Sequence, residues 1–130
     1  MSNKSVSDIV IFGESEGDVR QVKKGPDRWL AGELAITNTR MFESADGAFT
    51  SGIWESTPGK FIAVYEEDEF YHMLEGEVVI ADEDGGERTF HPGDTIVVPA
   101  GFVGTWDVKL PTKKFYAHYL PRADQEAADD

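Results

Sequence analysis

The sequence predicts an all-β chain folded as a double-sheet jelly-roll barrel. Three observations carry that expectation. Short runs rich in Val, Ile, Phe, Tyr, Trp and Thr recur along the chain between clusters of Gly, Pro, Asp and Ser, the pattern of strands and their turns. No window keeps apolar residues at a 3.6-residue period long enough for a helix. About ten short strands in one small domain must close into a barrel or jelly roll, because an open sheet would leave bare edges.

In chain order, the first expected strand is the apolar segment 9–12, which would be an exposed strand unless it adds to a sheet or to a neighbouring molecule. Strands follow at 29–37 and 49–56, and Pro58-Gly59 then makes a turn by pairing a fixed φ with a permissive one. Beyond it lie strands 60–65, 70–74 and 77–81, the last two separated by Gly76, where a residue without Cβ lets the sheet bend sharply. Asp84-Gly85-Gly86 supplies the tight hairpin into strand 88–91, and Pro92-Gly93 the turn into 95–98. Strands 104–108 and 113–120 complete the set.

The 130 residues suit one domain, expected over 1–122, with an acidic and loosely held tail over 123–130. Hydrophobic residues make up 40% of the chain and include eight Phe, four Tyr and three Trp, enough to form a core without crosslinks; there is no cysteine for a disulfide or a thiolate metal site. The formal charge of -13 repels phosphate backbones and anionic membranes, so neither nucleic acid nor membrane is an expected partner. The first residues contain neither a secretory signal nor a spanning run, and a cytoplasmic protein is expected.

Two stretches go further. Glu69-Phe-Tyr-His-Met-Leu-Glu-Gly76 places a glutamate six residues ahead of a glycine, and Gly93-Asp-Thr-Ile-Val-Val-Pro99-Ala-Gly101 spaces Gly, Pro and Gly in the same ordered way. Together they resemble the two motifs of the cupin superfamily. Trp54-Glu-Ser-Thr-Pro58-Gly59-Lys60, Glu67-Asp68-Glu69-Phe and Gly101-Phe-Val-Gly104-Thr-Trp106 are similar to one branch of it, the ureidoglycine aminohydrolase-like cupins, which also take in the ethanolamine-utilisation cupin. The resemblance covers roughly Gly52 to Tyr119 and implies the jelly roll. It also implies where a metal would be held: two histidines one residue apart, three or four positions ahead of the motif glutamate, and a third beyond the last motif glycine. Those places carry Ile62 and Val64, or Ala63 and Tyr65 on the shorter spacing, and Gly104; only Glu69 remains. One carboxylate cannot supply the three or four ligands of a transition ion, so no metal and no other cofactor is expected.

Strand alternation sets Glu69, Tyr71 and Met73 on one face, taken as the inner one, against Phe70, His72 and Leu74. Glu69 is the candidate general acid or base, the plainer reading being a buried glutamate satisfied by a tyrosine hydroxyl or paired with Lys114. On the last strand Lys114, Tyr116 and His118 alternate with Phe115, Ala117 and Tyr119; the polar set lines the pocket mouth or lies on solvent. Tyr65 and Lys114 join Glu69 as candidate catalytic residues. Trp54, Phe61, Tyr71, Trp106, Tyr116 and His118 are the candidate substrate contacts, with plain core packing as the alternative for the aromatic ones. His72 and His91 are read as outside the site, and Glu66, Glu67 and Asp68 as a solvated connection, with a cation site as the alternative.

The function expected is that of a cupin-type enzyme of amine, ureide or amino-acid metabolism acting on a small polar molecule through Glu69. The alternative is a non-catalytic ligand-binding or accessory module with a degenerate metal site. A homodimer is expected under both.

Overall fold

A computed structural model describes residues 3–120, so the acidic segment 123–130 lies outside the described residues. Nine strands make up the fold: β1 (Asp18–Val22), β2 (Trp29–Ala31), β3 (Ile36–Glu43), β4 (Phe49–Ser56), β5 (Gly59–Val64), β6 (Asp68–Asp82), β7 (Glu87–Phe90), β8 (Thr95–Val98) and β9 (Val103–Tyr119). Among the described residues the one helical element is a 3-10 turn at Val6–Asp8, and no helix is long and apolar enough to cross a membrane. The all-β jelly-roll expectation holds.

All pairings are antiparallel, and two long strands organise them. The first half of β6 pairs with β8 and with the second half of β9, which continues through β4 and β3 to β1. The second half of β6 pairs with β7 and with the first half of β9, which continues through β5 to β2. The result is two sheets that share β6 and β9, each strand crossing from one sheet to the other at a bend.

The bend lies where the register of β6 against β9 shifts, around Gly76 and Pro111. Gly76 has φ +101°, and a Cβ there would stand 2.2 Å from Thr112 Oγ1 and 2.6 Å from the Pro111 carbonyl oxygen. Only glycine meets both the left-handed backbone and the close approach. Between the sheets Ile36, Met73, Val78, Trp106 and Val108 are almost fully buried and form the core with Phe61, Tyr71 and Ile80.

Four expectations need correction. Residues 9–12 are not a strand: Ser15 N–H donates to the Ile11 carbonyl, Ile11 N–H donates to Ser15 Oγ, and this local side-chain bond competes with any ladder. Phe12 packs edge-on against Phe115 of β9 instead, with ring centroids 5.3 Å apart. The expected strand 29–37 divides at Gly32, because β2 pairs with β5 while β3 joins the other sheet. Strands 70–74 and 77–81 are one strand, as are 104–108 and 113–120, since a bent strand keeps its pairing where a turn would lose it. β1 was not expected, because four of its five residues are exposed and it shows no apolar face.

The inner and outer faces of the β9 second half have an unusual polarity. Lys114 and Tyr116 are buried inside, whereas the outer face sets Phe70 of β6 beside Val97 and Ala117, with Phe49 nearby, and Phe70, Val97 and Phe49 are exposed.

Replacing Gly76 by alanine combines a strained positive φ with a Cβ collision, so Gly76→Ala is expected to lose at least about 2 kcal/mol of stability. Urea unfolding followed by tryptophan fluorescence measures it; an unchanged midpoint contradicts the role given to the bend.

Candidate functional site in the barrel

The inner faces of β6 and β9 meet in register, with Glu69 opposite His118, Tyr71 opposite Tyr116 and Met73 opposite Lys114. β4 adds Trp54 beside Lys114, and β5 adds Phe61 beside Trp106. These strands enclose one cavity of about 220 Å³. All nine candidate residues read from the sequence line it: Glu69, Tyr65, Lys114, Trp54, Phe61, Tyr71, Trp106, Tyr116 and His118. Lys114 and His118 therefore face inward and not solvent. Four further polar residues line it that the sequence reading did not place in the site: Glu67, Lys24, Arg28 and Asn38.

One wall is an ion cluster. The His118 ring nitrogen Nδ1 contacts the Glu67 carboxylate and lies 3.4 Å from Glu69 Oε1. Glu67, in the bend just ahead of β6, lines the cavity beside Glu69 and is not simply part of a solvated connection, a correction to the sequence reading. Burial opposes the charged imidazole, yet the hydrogen bonds and negative charge of Glu67 and Glu69 prevail and raise His118 to about 9. At neutral pH this wall holds a proton among three side chains.

Farther along the same inner faces of β6 and β9 the lining is aromatic and encloses an amine. Lys114, 3% exposed, sets its Nζ 3.2 Å from the Tyr71 ring centroid, 4.0 Å from that of Trp106 and 4.3 Å from that of Trp54. Glu69 contacts His118, in place of the tyrosine hydroxyl or the Lys114 pairing that the plainer sequence reading allowed. Burial pushes the Lys114 amine well below its ordinary range, against the pull of the Glu69 charge and with the help of Lys24.

Tyr65 and Tyr71 join their hydroxyls at 3.0 Å, and burial, followed by the Glu69 charge, raises the Tyr65 phenol. Tyr116 donates to Asn38 Oδ1 at 2.6 Å. The Trp106 indole is buried against Phe61, and its Nε1–H has no hydrogen-bond acceptor of good geometry among the described residues. His72 bonds Thr95 and His91 pairs with Glu77, both away from the cavity.

The metal cage of the wider superfamily does not fit these residues. Along β5 and just beyond it, Phe61, Ala63 and Tyr65 are buried while Val64 is exposed, which assigns the first histidine pair to Ala63 and Tyr65. Tyr65 is committed to Tyr71, and a Cβ on Gly104 would lie 2.0 Å from the Ala81 carbonyl oxygen, so no side chain can grow at the third place. Among the described residues, Glu67, Glu69 and His118 do bring three ligand atoms within 4.8 Å of one another. The side chains of Lys24 and Arg28 line the same cavity, and their positive charge opposes a further cation there.

A two-sheet β barrel with an open end and an inward-facing motif glutamate defines a cupin. This chain belongs to the family of the EutQ-like cupin domain, whose sequence model matches residues 43–116. Among solved structures it is similar to a protein of unknown function of the DUF861 family from Pseudomonas syringae pv. tomato, at 25% identity and a TM-score of 0.70, over 77% of this chain and 43% of that one. The EutQ protein of Clostridium difficile shares 18% identity at a TM-score of 0.60, over 67% of this chain and 64% of that one. A putative ethanolamine utilization protein Q from Salmonella typhimurium shares 17% at 0.61, over 85% and 100%. These last two likenesses speak for the fold. This chain spans less than two thirds of the Pseudomonas and Clostridium proteins. No curated protein matches it.

The raised His118 has a stability consequence of definite sign. Its folded value of about 9 lies above the ordinary 6.5, so the native state holds the extra proton, and the stabilisation is complete below about pH 6.5 and lost as pH rises through about 9. Thermal melts of wild type and His118→Gln across this range are expected to show a wild-type advantage that shrinks with rising pH; a constant gap refutes the ion cluster.

Proposed function

We propose that this protein is a cytoplasmic cupin-type enzyme of amine, ureide or amino-acid metabolism, acting on a small polar molecule with Glu69 as the proton carrier. The observation that carries the reading is the sharing of one small cavity by a proton-holding Glu67–His118–Glu69 cluster and a caged lysine. Glu69 exchanges a proton with the substrate, and His118, in contact with both carboxylates, resupplies it. The Tyr65–Tyr71 hydroxyl pair, Tyr116 and the indole of Trp106 orient polar groups of the substrate, while Trp54 and Phe61 keep water out and so strengthen those contacts. Lys114 orients the bound molecule from among the ring faces. Glu69→Gln preserves shape and removes the exchangeable proton, so once a screen of amines, ureides and amino-acid derivatives by NMR yields a substrate, this variant is expected to lose at least about a hundredfold in kcat with an unchanged circular dichroism spectrum. Retention of the wild-type rate removes Glu69 from the chemistry.

The second reading is a ligand-binding or accessory module, favoured by the blocked histidine places at Tyr65 and Gly104. Calorimetry separates the two, since a module binds its ligand with no turnover in either form.

The apolar outer face of Phe49, Phe70 and Val97 supports a homodimer in this proposal. Light scattering is expected to give the mass of two chains, and Phe70→Asp that of one; a monomeric wild type refutes the pairing.

A further inference from the structure

The geometry points to Lys114 as an amine nucleophile that condenses with the carbonyl carbon of a small 2-oxo acid, whose carboxylate is received by Lys24 and Arg28. This rests on reading the cavity as an enzyme site, and it adds the substrate class.

A lysine buried for structural reasons is normally matched by a carboxylate. Lys114 makes no ion pair and no hydrogen bond among the described residues, although the chain has 25 acidic side chains from which to draw. It is enclosed by the faces of Trp54, Tyr71 and Trp106 at one wall of an accessible cavity. A desolvated amine against apolar walls sheds its proton readily and is thereby activated for attack on carbonyl carbon. The same rings keep water from the imine that results. The buried Trp106 Nε1–H, whose neighbouring acceptor, the Tyr65 hydroxyl, is poorly aligned, is available to a carbonyl oxygen.

The second end of the substrate follows from charge. Lys24 and Arg28 lie on the segment between β1 and β2, held to β5 by the bond from Ile62 N–H to the Arg28 carbonyl. Lys24 lies over the Phe61 ring, its Nζ 4.6 Å from the centroid, and neither cation enters an ion pair among the described residues. Two unmatched cations on the cavity of a chain of net charge -13 make a local site for an anion. About 220 Å³ limits the guest to a few heavy atoms beyond the carbonyl and the carboxylate.

The step balances without an oxidant or reductant. The Nζ lone pair attacks the carbonyl carbon, and the C=O π pair moves to oxygen, which takes up a proton through the Glu69–His118 pair. A second proton from the pair turns the hydroxyl into a leaving water, the C–O bond breaks with its electrons on that water as the nitrogen lone pair forms the C=N bond, and the two hydrogens lost from nitrogen return to the pair as protons.

The test treats the full chain at neutral pH with pyruvate and sodium cyanoborohydride, which reduces any imine to a stable secondary amine, followed by peptide mass mapping. A 1-carboxyethyl group on Lys114 in preference to every other lysine is expected, and Lys114→Met and Lys114→Arg should both be blank at that position. Butanone, of similar size without the carboxylate, should label Lys114 about tenfold less well, and Arg28→Gln should erase that preference for pyruvate. Adducts confined to exposed lysines overturn the inference. Loss of turnover in Glu69→Gln with no adduct at Lys114 in the wild type overturns the imine and leaves the proton carrier standing; an adduct at Lys114 with full turnover in Glu69→Gln supports the imine and removes the proton carrier.

Discussion

The close approach of Gly76 to Thr112 is the constraint on which the rest of the barrel depends. Because no side chain intervenes, β6 and β9 bend together and stay hydrogen-bonded through both sheets. That shared bend fixes the facing of residues on either side of it, since strand parity propagates from a pinned register. Glu69, Tyr71 and Met73 on one strand and Lys114, Tyr116 and His118 on the other are thereby turned inward and opposed in pairs. The cavity is a consequence of two strands bending at one glycine.

Inside it, charges are separated by aromatic material. The Glu67–His118–Glu69 cluster is partly compensated, because one imidazolium contacts two carboxylates. Lys114 has only ring faces around its ammonium group, and burial opposes its charge. A core built for stability alone would place an apolar residue there, as replacing buried ionic groups by hydrophobic ones is often neutral or favourable. A local rule broken inside a well-packed cavity, without compensation by a salt bridge, is what a functional site looks like.

Family membership and site chemistry part company in this chain. The EutQ-like cupin match accounts for the sheet topology and for the inward glutamate. Yet Gly104 is pressed against the Ala81 carbonyl, and Tyr65 is tied to Tyr71, at places where metal-dependent relatives would need imidazoles. A common β scaffold has kept its turns and bends while the groups between its sheets have been exchanged.

The sequence by itself determined the all-β class, the hairpin at Asp84-Gly85-Gly86, an interruption at Gly76, the inward parity of Glu69, and the shared face of Lys114, Tyr116 and His118. These are local properties, read from alternation and from residues with special backbone freedom. It could not tell a bend from a strand end at 75–76 or at 109–112, because both look like interruptions of an apolar run; only the continued pairing of β6 with β9 distinguishes them. It misread residues 9–12, where a local Ser15 bond outcompetes a strand, and passed over β1, whose exposed residues carry no periodic signal. Tertiary structure alone decided that Glu67, Lys24, Arg28 and Asn38 share the cavity, and that Glu69 answers to His118 and not to Lys114. Partners drawn from segments distant in sequence are set by which strands become neighbours, and residue spacing carries no record of that.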